Sequence, residues 1–117
     1  MRIAVVGTCA SGKSTIVDEL RGLGYDAFVV SQEHSIIRDL WNHQRPDKLV
    51  YLQAGYQTVQ QRRGRSWPRW IYDTQIERLR DARQNASIIV DTGALTLDET
   101  IAQIVSTLGG EANCSLV

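Results

Sequence analysis

The first twenty residues, MRIAVVGTCASGKSTIVDEL, limit the possible fold more than any other part of the chain. The apolar run at residues 2–6 stops at Gly7, which is typical of a buried strand in a parallel sheet. A helix is predicted from Lys13 to about Arg21, because apolar residues recur there at helical spacing. The chain therefore opens with a strand and a helix joined by a short loop rich in glycine and small residues.

Three later segments also have the composition of buried strands, and helical segments separate them. They are DAFVV (26–30), KLVYL (48–52) and SIIVD (87–91). Strands that alternate with helices indicate a parallel sheet covered on both faces. The predicted fold is an α/β three-layer sandwich with about four parallel strands, formed by residues 1–117 as a single domain.

Four further helices are predicted between and after these strands. Apolar spacing, glycines, prolines and a capping box of Thr96 and Glu99 suggest their limits. The predicted segments are HSIIRDLW (34–41), YQTVQQRR (56–63), Trp70 to about Asn85, and a last helix from Thr96 that Gly109-Gly110 ends.

The residues GTCASGKS (7–14) match the pattern G-x-x-x-x-G-K-[ST], the P-loop. Glycines let the backbone turn tightly, so that its N–H groups converge on phosphate oxygens. The following helix adds unpaired amides and the positive end of its dipole. The pattern therefore predicts a site for a nucleoside triphosphate and Mg²⁺.

Each position of this loop has an expected role. The Lys13 ammonium is expected to reach the β- and γ-phosphates from outside the hydrophobic core, and the Ser14 hydroxyl to ligate Mg²⁺. The predicted nucleotide-binding residues are Gly7, Thr8, Cys9, Ala10, Ser11, Gly12, Lys13, Ser14 and Thr15.

At these residues the sequence resembles the P-loop nucleoside and nucleotide kinase-like NTPases. The stretch RPDKLVYLQAGYQTVQQRRGR (45–65) is similar to a strand of that family and the helix after it, which carries a run of arginines and a mobile lid. The stretch ASIIVDTGALTLDETIAQIVSTL (86–108) is similar to its terminal strand and helix. The resemblance implies a P-loop NTPase fold, MgATP as ligand and phosphoryl transfer to a small acceptor. The chain lacks the N-K-x-D motif of guanine recognition, which favours ATP over GTP.

The resemblance also implies a role for four arginines at the lid position. Arg62, Arg63, Arg65 and Arg69 would close over the phosphates and neutralise charge that develops on the transferred group. The first three, with Lys13, are the predicted catalytic cations. The alternative is a solvated basic end of a helix, where arginines complement the dipole.

Two acids follow predicted strands at the edge of the sheet that binds ligands. Glu33 matches the family's acid after the second strand, which contacts the acceptor or acts as a base. Asp91 ends an apolar strand, and we expect it to assist Mg²⁺ together with Ser14. The alternatives are that Glu33 caps a helix start and that Asp91 belongs to a turn before Gly93.

The histidines are not predicted to bind a metal, because His34 and His43 have no zinc-like spacing with other donors. Cys9 is interpreted as a filler of the loop, and the alternative is a reactive thiol acidified by the N-terminus of the helix. Both cysteines, Cys9 and Cys114, are expected to be free thiols of a cytoplasmic protein.

The charge balance limits the partners. Thirteen basic residues match thirteen acidic ones, so no overall field attracts nucleic acid or an anionic membrane. Trp67 and Trp70, between arginines, could stack on bases, but we expect them to pack the long helix or to form a contact in a homo-oligomer.

Two functions are compatible with the sequence. The chain between Ser14 and Arg62 is short for the family, so a strand and its acceptor site are expected to be missing or reduced. The chain is predicted to be either an ATP-dependent phosphotransferase or a nucleotide-binding module with slow or no phosphoryl transfer.

Overall fold

The computed structural model of the chain describes residues 1–64 and 67–116, with side chains described up to residue 108. The strands are β1 (Arg2–Gly7), β2 (Asp26–Val29), β3 (Lys48–Gln53) and β4 (Ile88–Asp91). The helices are α1 (Lys13–Gly22), α2 (Tyr56–Arg63), α3 (Arg69–Arg78), α4 (Arg80–Asn85) and α5 (Leu97–Leu116). All four strands of the sequence-based prediction are therefore confirmed to within one residue at each end.

The four strands form one parallel sheet in the order β2-β1-β3-β4. Val5 of β1 pairs with Val29 on one side and with Val50 on the other. The order reverses at β1, because the chain goes from β1 to one side and then crosses to the other. Ligands of open α/β sheets bind at such a reversal, beyond the carboxyl ends of the strands.

Alternate residues of β1 enter core clusters on opposite faces of the sheet, as the pleat of a strand requires. One cluster packs the sheet against α1 and α5, and the other packs it against the junction of α3 and α4. The first contains Ile3, Val5, Leu20, Ile104 and Leu108, and the second contains Ala4, Val6, Tyr51, Leu79 and Ala82. The predicted parallel sheet with helices on both faces is confirmed.

The helix predicted at 34–41 is wrong. The segment forms two short 3₁₀-helices, Gln32–His34 and Leu40–Asn42, and Ile36 between them is exposed. The buried Gln32 amide donates to the Ile37 carbonyl at 2.7 Å and accepts from the Trp41 N–H at 2.9 Å. These side-chain bonds take backbone groups that a continuous helix would use.

The other helix limits are partly confirmed. Helix α2 has the predicted bounds, and the capping box is present, since the Thr96 N–H donates to Glu99 at 2.9 Å and the Glu99 N–H donates to Thr96 at 3.2 Å. These bonds hold the pKa of Glu99 below its usual value.

The remaining two helix predictions need correction. The single helix predicted from Trp70 divides at Leu79, whose N–H is shared between the carbonyls of Gln75 and Ile76. The last helix continues through Gly109-Gly110 to Leu116. Glycine in a helix interior costs about 1 kcal/mol but does not stop a helix by itself. Within the described residues, no helix is both long and apolar enough to cross a membrane.

Leu52→Ala should lower the free energy of unfolding by about 3 kcal/mol, since Leu52 is fully buried where β3 pairs with the end of β1. Leu23→Ala is the control, because Leu23 is 58% exposed and should change stability by less than about 0.5 kcal/mol. Urea denaturation of both variants measures the difference. Equal effects would contradict the described core.

Candidate functional site

The candidate site is built around residues 7–14, the glycine-rich loop, at the carboxyl edge of the sheet. Gly7 ends β1 where there is no room for a side chain, since a Cβ atom there would lie 2.7 Å from the Leu52 carbonyl oxygen and 2.5 Å from Ser11 Oγ. Gly12 has φ +95°, a left-handed conformation that favours glycine. Both glycines of the motif are thus explained by backbone geometry.

The N-terminus of α1 leaves its amides available to an anion. Gly12 is the N-cap, and within the described residues no side chain bonds to this helix start. The first turn carries no acid, and Ser14 and Thr15 are exposed residues. An N-terminus without a cap attracts negative charge through its free N–H groups and its dipole.

Lys13 folds back over the loop instead of extending into solvent. Its Nζ donates to the carbonyl oxygens of Gly7 at 3.0 Å and of Thr8 at 2.9 Å. It also lies 2.5 Å from Oε2 of Glu33, which follows β2. The two side chains are only 11% and 3% exposed, so the ammonium is largely buried, although Lys13 belongs to neither of the two hydrophobic clusters.

Several polar groups of the site have unused bonding capacity. Thr8 Oγ1, Ser11 Oγ and Glu33 Oε1 are buried and have no hydrogen-bond partner among the described residues. Most buried polar atoms in proteins are paired, so three such atoms around one loop call for an explanation. A ligand or bound water at this edge would supply the missing partners.

Arg62 is the predicted lid residue that the structure brings to the loop. It lies in the last turn of α2, and its guanidinium donates to the Ala10 carbonyl at 2.6 Å and to the Thr92 carbonyl at 2.8 Å. It thereby bridges the glycine-rich loop and the segment after β4. This places a delocalised cation beside the N-terminus of α1.

The other arginines of the predicted lid have different surroundings. Arg63 is exposed at the end of α2, and Arg65 lies outside the described residues. Arg69 pairs with Asp73 at 3.2 Å, and its guanidinium lies 4.9 Å from the centre of the Tyr56 ring. The contacts described for Arg69 are therefore with its own helix α3 and with α2, and not with the glycine-rich loop.

The Asp91 carboxylate stabilises a turn in the chain that follows it. Its Oδ1 accepts the N–H groups of Gly93 at 2.8 Å and Ala94 at 3.2 Å. This is the arrangement that the sequence left open as the alternative to a metal ligand. The carboxylate that the structure brings to the glycine-rich loop is Glu33.

A cleft of about 360 Å³ opens beside the loop on the side of α5. Four apolar side chains and several hydroxyls line it. The lining residues are Ala10, Ser11, Gly12, Thr15 and Ile16, Arg62, and Thr92, Leu95, Leu97 and Thr100. The cleft is continuous with the N-terminus of α1, because residues of that loop form one wall.

Cys9 is turned away from this cleft, into a polar cluster that sequence reasoning missed. Its N–H donates to Gln75 Oε1 at 3.0 Å, and its sulfur accepts from Gln75 Nε2 at 3.1 Å. Its sulfur also lies 3.6 Å from His34 Nε2. Cys9, Glu33 and His34 each place a donor atom within 4.8 Å of the others. Cys9 therefore makes specific polar contacts in addition to filling space in the loop.

The order of the strands, and not the spacing of the residues, is the signal that indicates this cluster. Glu33 and His34 follow β2, Cys9 follows β1, and these strands are neighbours in the sheet. Parallel neighbours deliver the residues after their carboxyl ends to the same place. Spacing along the chain hides this proximity, whereas strand order reveals it.

No protein-family model matches this sequence, and no curated protein sequence matches it. What the chain does must therefore be inferred from its residues and their geometry.

Gly7→Ala should lower the free energy of unfolding by about 1–3 kcal/mol, because the new Cβ would press on the Leu52 carbonyl. Gly22→Ala is the matched control: it lies in α1, and a Cβ there meets nothing within 4 Å. That variant should be neutral or more stable by up to about 1 kcal/mol. A Gly7→Ala protein as stable as the unsubstituted chain in urea would contradict the loop geometry.

Proposed function

We propose that the chain is an ATP-dependent phosphotransferase with a P-loop NTPase fold that binds MgATP through the glycine-rich loop. The observation that carries this proposal is an uncapped N-terminus of α1 with the Lys13 ammonium beside it. Free amides and an ammonium at one place are suited to the phosphates of a nucleotide. A solvated turn without a ligand would not require a largely buried ammonium that donates to the carbonyls of the same loop.

The residues also fit Mg²⁺. This ion keeps several of its waters and takes few protein ligands beside phosphate oxygens. Ser14 is an exposed residue at the start of α1, and its hydroxyl would hold the ion. The Asp91 carboxylate accepts the Gly93 N–H of its own turn. Bound Mg²⁺ neutralises charge on the terminal phosphates.

The cleft beside α5 fits the base of the nucleotide. Its wall combines Ile16, Leu95 and Leu97 with hydroxyl groups, which suits a flat ring with polar edges. Since the loop forms the opposite wall, a nucleotide would run from this cleft to the N-terminus of α1. The ATP preference itself rests on the missing guanine motif.

Phosphoryl transfer would depend on positioning and on charge neutralisation. Arg62 already lies at the loop through two carbonyl bonds that phosphate oxygens could replace. Glu33 is the candidate base, and it is held by Lys13 until that ammonium moves toward phosphate. Both cations thus have partners in the protein that an anionic ligand would displace.

The alternative is a nucleotide-binding module with slow or no transfer to an acceptor. One observation favours it: the connection between β2 and β3 contains only short 3₁₀-helices among the described elements. The resemblance to the P-loop kinase-like family implies an acceptor site in the segment between the glycine-rich loop and the arginines of α2, which includes this connection. Release of ADP from MgATP, measured with and without a panel of nucleosides, nucleotides and sugars, separates the two functions. Acceptor-dependent release supports the kinase, whereas tight binding without it supports the module.

Lys13→Ala should weaken MgATP binding about 10- to 100-fold, because a charge-assisted bond contributes about 1.5–3 kcal/mol. The same change leaves the buried Glu33 carboxylate without its cation and should destabilise the fold by about 3 kcal/mol. The double variant Lys13→Ala/Glu33→Gln removes both charges and separates these effects. Calorimetry with MgATP measures the affinity of both.

Lys48→Ala is the control for that experiment, because Lys48 starts β3 at the opposite edge of the sheet. Its affinity for MgATP should equal that of the unsubstituted chain. If the double variant is folded and binds MgATP normally, the glycine-rich loop is not the nucleotide site.

Arg62→Ala should lower the rate of ADP release about 100-fold, as loss of a donor to the transition state does. MgATP affinity should fall much less. Arg63→Ala is the matched control, because Arg63 is the next residue and, within the described part of the chain, lacks the bonds of Arg62 to Ala10 and Thr92. Equal losses of rate and affinity in Arg62→Ala would reduce Arg62 to a structural bridge between the loop and Thr92.

A further inference from the structure

We propose that Cys9, Glu33 and His34 form a binding site for a divalent transition-metal ion such as Zn²⁺, separate from the Mg²⁺ that accompanies a nucleotide. The Cys9 sulfur, an imidazole nitrogen of His34 and a carboxylate oxygen of Glu33 lie within 4.8 Å of one another. This donor set suits Zn²⁺ or Co²⁺ and not Mg²⁺, which prefers oxygen ligands alone. The inference does not depend on nucleotide binding.

The distances are close to those that a bound ion imposes. Tetrahedral Zn²⁺ with standard bond lengths places its sulfur and nitrogen ligands about 3.6 Å apart, and its nitrogen and oxygen ligands about 3.4 Å apart. In the structure, Cys9 Sγ lies 3.6 Å from His34 Nε2, and His34 Nε2 lies 3.9 Å from Glu33 Oε2. The Cys9 sulfur and the Glu33 carboxylate lie within 4.8 Å of each other, so the side chains would have to move slightly closer together to hold one ion.

Two further observations point to a ligand at this place. Glu33 is 97% buried, yet its Oε1 has no partner within the described residues. The carboxylate therefore has bonding capacity left at Oε1, while its Oε2, the oxygen nearer to His34, is held by Lys13. The Gln75 amide donates to the Cys9 sulfur at 3.1 Å, so it fixes the sulfur and would stabilise a thiolate. Three protein ligands leave the fourth position of a tetrahedral ion open, and the exposed side of His34 provides entry.

Lys13 couples this site to the loop. Its ammonium lies on Glu33 Oε2, the same oxygen that faces His34. An ion at the cluster would compete with that ammonium for Glu33 and would release Lys13 toward an anion. By linkage, an anion that draws Lys13 away would strengthen binding of the ion by the same factor.

The test is titration of the purified chain, free of nucleotide, with Co²⁺, followed by competition with Zn²⁺. One equivalent should bind and produce an absorption band of charge transfer from thiolate to cobalt, which Zn²⁺ abolishes. His34→Ala should weaken binding at least tenfold, and it should fold normally because His34 is 59% exposed at its side chain. Cys9→Ser should remove the band.

The controls use the other residues of the same types. His43→Ala changes an exposed histidine that contacts Asp39, and Cys114→Ser changes the second cysteine. Both should keep the band and the affinity. The proposal is overturned if the unsubstituted chain shows no band, if His34→Ala binds Co²⁺ unchanged, or if either control weakens binding as much as His34→Ala does.

Lys13→Ala distinguishes this site from the proposed nucleotide site, because it should act in opposite directions. Loss of the ammonium removes a positive charge beside the ion and frees Glu33, so Co²⁺ should bind more tightly. The same variant should bind MgATP more weakly. In a folded Lys13→Ala protein, unchanged or weaker Co²⁺ binding would overturn the role of Glu33 as a ligand, whatever happens to MgATP. If that variant does not fold, the double variant Lys13→Ala/Glu33→Gln decides: it should bind Co²⁺ more weakly than the unsubstituted chain, and unchanged binding would overturn the same role.

Discussion

The buried ion pair between Lys13 and Glu33 is the interaction on which the architecture of the site depends. It joins the start of α1 to the segment after β2, and it keeps a charged carboxylate inside the protein. A buried charge without its partner is costly, so each residue requires the other. The pair also holds Lys13 against the carbonyls of Gly7 and Thr8, and so helps to fix the shape of the glycine-rich loop.

Strand order explains why so many polar groups meet at this place. Because β2 and β3 lie on opposite sides of β1, the loop after β1 is flanked by residues that follow each of its neighbours. Glu33 and His34 approach from the side of β2. Arg62 approaches from α2, which follows β3. The reversal of strand order thus gives one loop an acid and an imidazole on one side and a guanidinium on the other.

In the described state both cations of the loop are satisfied by the protein itself. Lys13 has a carboxylate and two carbonyls, and Arg62 has the carbonyls of Ala10 and Thr92. A ligand at the N-terminus of α1 would exchange these partners for its own oxygens. The net free energy of binding is then the difference between two sets of bonds, which is smaller than the sum of the new contacts.

The sequence by itself determined the strands, the parallel α/β class, helix α2 and the conformation of the glycine-rich loop, because these follow from local patterns of apolar residues and glycine. It could not determine the segment 34–41, where the buried Gln32 amide takes backbone groups that a helix would use. Only the tertiary structure showed that Arg62 contacts the glycine-rich loop where Arg63 is not described to do so, and that Glu33 pairs with Lys13 whereas Asp91 bonds within its own turn. The choice between the two acids depends on which strand is the neighbour of β1, and the choice between the adjacent arginines depends on which side of α2 packs toward the loop. Both are long-range properties that residue spacing does not record.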